Sequence, residues 1–133
     1  KNWSHGTQSL YKLGGEIIVT LEKGGTIVID ELDTSLHPFL TKLIVMLFQS
    51  TSTNPHNAQL IFTTHDVTLL DRDIVRRDQV WLAEKSERGA TDLYSLQDFE
   101  DVREDTPFEK WYLAGKFGGL PKINSVDRIF ELE

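Results

Sequence analysis

The sequence predicts an α/β fold with parallel core strands, helices on the faces of the sheet and a C-terminal β-hairpin, and three observations carry that prediction. A β-branched apolar run at residues 26–29 and a second apolar run at 58–63 are separated by a helical pattern that opens at Pro38. Strand, helix, strand in that order is the crossover unit of parallel sheets, right-handed almost without exception. Further on, residues 80–85 and 91–96 flank the turn-forming segment 86–90, which reads as a hairpin with a five-residue loop.

Each element has its own warrant. Leu10, Leu13, Ile17 and Leu21 recur at spacings of three and four within residues 7–22, the period of a half-buried helix. Gly14 and Gly15 oppose that helix by about 1 kcal/mol each against alanine, and Gly24-Gly25 ends it. Residues 26–29 are continuously apolar after Thr26, so this strand is expected to be covered on both faces of a parallel sheet. Pro38 suits the first turn of the next helix, with Leu40, Leu43, Ile44, Leu47 and Phe48 as its buried stripe. Residues 50–57 are polar and turn-forming. From Gln97 onward, charges mix with aromatics and lead into the glycine-rich stretch 115–119, whose default reading is a flexible surface turn. There is no internal repeat, low-complexity segment or interdomain linker.

Composition bounds the function. The chain has 133 residues, 39% hydrophobic and 26% charged, which describes one soluble globular domain or a large piece of one. No apolar run approaches bilayer-spanning length and the N-terminus does not read as a charged-then-apolar leader; the expectation is a cytoplasmic protein without membrane contact. The absence of cysteine excludes disulfides and thiolate metal sites. A formal charge of −7 argues against gripping nucleic acid by phosphate neutralisation, which leaves any DNA contact to parts of a longer protein. Lys1 in place of methionine reads as a processed or excised product.

The polar clusters sit where open parallel sheets place their functional groups, at the carboxyl ends of strands. Asp30 and Glu31 follow the first strand directly, and His65 follows the second. One carboxylate there can hold a hydrated Mg²⁺ that bridges nucleotide phosphates, and an adjacent one can orient or deprotonate water. The plainer alternative is that the acidic residues cap the following helix. His65 can contact a terminal phosphate or the attacking water; metal ligation with His37 is a further option, although the spacing matches no zinc pattern. Residues 4–8, Ser-His-Gly-Thr-Gln, precede the first helix. Ser4 or Thr7 there serves as an N-cap, or a serine hydroxyl and glycine amide form an anion site.

Together these segments resemble the ABC class of ATPases, including its SMC and RecF-like branch. Residues 4–8 resemble the signature motif, 26–31 the Walker B strand with its trailing glutamate, 32–37 the D-loop with His37 where many members carry Asp, and 63–66 the switch-histidine segment. The tail resembles stand-alone prokaryotic ATP-binding proteins of the RloA and AbiLii kind, associated with restriction loci and phage defence. The resemblance implies a P-loop NTPase-like layered fold, with residues 1–133 forming the C-terminal part of one ATPase domain. It also implies ATP and Mg²⁺ as cofactors, and a homodimer that sandwiches nucleotide and drives an effector protein. Asp30 would help hold Mg²⁺, Glu31 would position or activate water, and His65 would sense the γ-phosphate. Ser4, Gly6 and Gln8 would act on the partner's nucleotide, with Ser35 and His37 lining the dimer interface. Neither GxxxxGKS nor GxxxxGKT occurs in the chain: Gly115-Lys116 is preceded by Lys110 where glycine is needed and followed by Phe117. In this class the Walker A loop lies before the signature motif, so residues 1–133 alone are expected to bind nucleotide poorly. A DNA-repair or chromosome-maintenance head and a non-catalytic module are the rival readings.

Overall fold

Leu13, Ile17 and Leu21 form the covered side of a helix, α1 (His5–Lys23), in the computed structural model, which describes residues 5–34, 36–86 and 88–120, with backbone alone over 5–10. Ile17 and Leu21 are buried; the side chain of Leu10 lies outside the described residues. The helix begins at His5, so His5, Gly6 and Gln8 form its first turns rather than preceding it. It stops at Gly24, with φ +71°, whose N–H donates to the Thr20 carbonyl at 3.0 Å. A Cβ at Gly24 would stand 2.3 Å from the His56 carbonyl oxygen, so backbone conformation and close approach both demand glycine.

The chain then runs through β1 (Thr26–Ile29), α2 (Pro38–Gln49) and β2 (Gln59–Phe62), and the two strands pair in parallel with Ile29 beside Phe62. The crossover unit is as the sequence predicts. Cover on both faces is not: Ile27, Ile29, Leu60 and Phe62 are half-buried, whereas Val28 is 72% and Ile61 56% exposed. Among the described residues of β1 and β2 the cover lies on one face, and the adjacent pair Val28 and Ile61 is exposed. α2 also turns its stripe differently. Thr41, Ile44 and Val45 are buried, and Leu43 is exposed, because the sheet's position selects the inward arc of a helix that is apolar on several sides. His37 caps α2, its Nδ1 accepting from the Phe39 N–H at 3.2 Å. The α2–β2 loop is fixed by buried Asn54, which donates to Phe48 and Ala58 carbonyls and accepts from the Ala58 N–H.

These elements belong to one compact unit, Lys1–Leu70; a second comprises Asp71–Glu133. In the second, β3 (Trp81–Lys85) and β4 (Thr91–Ser95) pair antiparallel around the loop at 86–90, as the sequence predicts, and α3 (Phe108–Leu113) follows. Val80, Leu96, Val102, Phe108 and Phe117 are buried. The stretch 115–119 is not a free surface turn. Phe117 is 3% exposed and meets Phe99 edge-on at 5.3 Å, while the Tyr94 hydroxyl donates to the Phe117 carbonyl at 2.7 Å. Among the described residues no helix is long and apolar enough to cross a membrane.

Candidate functional site

Parallel pairing makes the first residues after β1 and β2 neighbours. The Thr63 N–H donates to the Ile29 carbonyl at 3.1 Å, and the Leu32 N–H donates back to the Thr63 carbonyl at 2.9 Å. Between these two backbone bonds, Asp30 and Glu31 are held at the strand end while their carboxylates stay exposed. The Thr63 hydroxyl donates to Asp30 Oδ1 at 2.5 Å and accepts from the Glu31 N–H at 2.8 Å.

Glu31 has φ 52°, a left-handed conformation that costs a non-glycine residue roughly 1–2 kcal/mol. Three features offset that cost: the Thr63 bond to its N–H, burial of Leu32 at 2% exposure, and a turn in which the Thr34 N–H donates to the Glu31 carbonyl at 2.9 Å. The Glu31 side chain spans two partners. Its Oε2 accepts from the Thr34 hydroxyl at 3.3 Å, and its Oε1 lies 3.8 Å from His65 Nε2. Those side chains are 55% and 84% exposed, so water screens the pair and it adds little to stability. An exposed acid–imidazole pair on a left-handed backbone is where strain and function tend to coincide.

Asp33 ties the two loops together from the other side, its Oδ1 accepting from the His65 N–H at 3.3 Å. Burial pushes its carboxyl up, but the Thr64 hydroxyl, the backbone N–H groups of Asp33 and His65, and the His65 ring outweigh that effect. The net result is a carboxyl below the usual range.

Glu31 and His65 thus come within 3.8 Å of each other, and Asp30 stands at the same strand end, bonded to Thr63. His37 is occupied as the α2 cap, Gly6 and Gln8 lie in α1, and Ser4 and Ser35 fall outside the described residues. Sequence reasoning missed Thr63 and Asp33 as site residues. Thr63 comes beside Asp30 only through the register that pairs Ile29 with Phe62, which spacing along the chain does not specify. A hollow of about 440 Å³ in the first unit is lined by residues that include Ile18, Leu21, Leu47, Thr53 and His56, and none of its lining residues is a candidate residue.

Among the described residues no three His, Asp or Glu side chains converge into a metal cage. Mg²⁺ is commonly held by one or two carboxylates, with waters and phosphate oxygens completing its shell. Asp30 suits that role: Thr63 fixes one oxygen, and the other has no hydrogen-bond partner among the described residues.

No curated protein and no solved structure matches the chain. A family model described as AAA domain, putative AbiEii toxin, Type IV TA system, matches residues 2–71, more than half of the 133 residues and the whole span that carries Asp30, Glu31 and His65. The chain therefore belongs to this AAA-domain family, and residues 2–71 are an ATPase-like domain segment.

Proposed function

We propose that the chain carries the hydrolytic part of an ATP-driven, ABC-type switch, with the phosphate-cradling loop supplied from outside residues 1–133. The observation that supports this reading best is the approach of His65 Nε2 to within 3.8 Å of Glu31 Oε1 at the neighbouring carboxyl ends of two parallel strands, where Asp30 also stands. Carboxylates and a histidine so arranged can hold a cation, orient a water and feel a phosphate. Bound with ATP, Mg²⁺ would neutralise charge on the phosphates. Asp30 would bind it through the oxygen that Thr63 leaves open. Glu31, braced by Thr34, would orient the attacking water and accept its proton. His65, highly exposed beside Glu31, would contact the terminal phosphate.

In the same reading two copies close around nucleotide, and Ser4, Gly6 and Gln8 of one act on the nucleotide of the other. Ser35 and His37 then line the shared surface, His37 with its Nδ1 engaged as a cap. The family's description refers to toxin–antitoxin systems, and we assign this switch to such a defence setting, in keeping with the resemblance of the tail to restriction-associated ATPases.

The test is Glu31→Gln in the full-length protein that contains this chain. Turnover should fall by about 10²–10⁴-fold, the usual worth of a general base, while ATP binding and the ATP-bound dimer persist. Unchanged turnover would overturn the assignment.

A further inference from the structure

One hydroxyl reaches both residues to which the proposed reaction gives a carboxylate role. A threonine hydroxyl has one proton and two lone pairs. At Thr63 the proton goes to Asp30 Oδ1 at 2.5 Å, and a lone pair takes the Glu31 N–H at 2.8 Å. The first bond limits rotation of the Asp30 carboxylate and leaves its second oxygen for a cation. The second satisfies the amide of Glu31 in its left-handed conformation, which sets the direction in which that side chain departs toward His65. Valine has nearly the same shape and could do neither.

We propose that Thr63 is the positioning residue of this site: by donating to Asp30 and accepting from the Glu31 amide, it holds both carboxylates in their working arrangement. The proposal rests on the ATPase reading above. A hydroxyl that only trimmed the end of β2 would affect folding stability alone. A positioning hydroxyl also governs cation affinity and rate, and partners that orient a metal ligand typically contribute about 10–100-fold to either.

The experiment compares Thr63→Val, Thr63→Ala and Thr63→Ser in the full-length protein. It measures Mn²⁺ affinity in the presence of ATP by electron paramagnetic resonance, ATP turnover, and hydrogen exchange at the Glu31 amide. Val and Ala should each weaken Mn²⁺ binding and slow turnover by about 10-fold or more and speed exchange at Glu31, and Ser should restore all three. Alanine adds no bulk, so it covers the case in which valine disturbs the fold. Asp30→Asn and Glu31→Gln run alongside. If those two abolish turnover while Val and Ala match the wild type in Mn²⁺ affinity and rate, Thr63 does not position the site and the ATPase reading stands. If Asp30→Asn and Glu31→Gln leave turnover intact, or the wild type neither binds Mn²⁺ with ATP nor turns over, the ATPase reading falls and the role of Thr63 falls with it.

Discussion

The strand-end loops of the first unit and the hairpin of the second handle their polar side chains in opposite ways. In the first, the acids and the imidazole at the strand ends stand in water, with His65 84% exposed, and their hydrogen bonds run between the two loops. In the second, polar groups serve packing. Half-buried Tyr94 donates to a backbone carbonyl beneath the aromatic set Phe99, Phe117 and Trp111, and Ser95, 3% exposed, closes the turn after β4 by accepting from the Gln97 N–H. The first unit also leaves Val28 and Ile61 open on its sheet. Polar residues that gain little stability where they stand are candidates for chemistry, whereas those that are enclosed and fully bonded hold the fold.

Paired substitutions sharpen that contrast. Glu31→Gln should produce the largest functional loss, the drop in turnover given above, while thermal melting stays within about 3 °C of wild type, because an exposed substitution usually changes stability by no more than about 0.5 kcal/mol. Phe117→Ala should do the reverse. Removing a buried aromatic typically costs about 3–5 kcal/mol, seen in denaturant unfolding followed by Trp111 emission, because that indole lies 5.9 Å from the Phe117 ring. A small loss would mean that the stretch 115–119 is docked only loosely.

Gly24→Ala should cost about 2 kcal/mol, from left-handed strain and the clash with the His56 carbonyl. Gly14→Ala is the control: a Cβ there meets nothing within 4 Å, and it should stabilise α1 by a few tenths to about 1 kcal/mol. Equal effects at the two glycines would refute the account of how α1 stops.

The smallest effects lie at the two ends of the pH scale. Asp33 titrates below its ordinary 3.8 in the fold, so its ionised form stabilises the first unit; that contribution is complete above the unfolded value and is lost as pH falls through the folded one. Asp33→Asn should flatten the acid limb of the stability curve. Tyr94 is shifted the other way, above 10.0, by burial and by the charge of Glu84. Its contribution to the second unit is complete below the unfolded value and is lost as pH rises through the folded one, and Tyr94→Phe should flatten the alkaline limb.

Local chemistry by itself determined the elements of this protein. Apolar spacing specified α1, Pro38 opened α2, two β-branched or apolar runs became β1 and β2, and turn-forming residues closed the β3–β4 hairpin within a residue of its predicted ends. That Asp30, Glu31 and His65 fall just beyond neighbouring strand ends was legible as well, because crossover topology sets strand ends side by side. Tertiary structure alone decided which arc of α2 faces inward, that Val28 and Ile61 stay open, that Phe117 is buried, and that Thr63 and Asp33 lace the two loops together. Spacing along the chain reports which side chains share a face. Whether that face is covered, and which hydroxyl meets which carboxylate, depends on contacts between residues about thirty positions apart, and these exist only once the strands are in register.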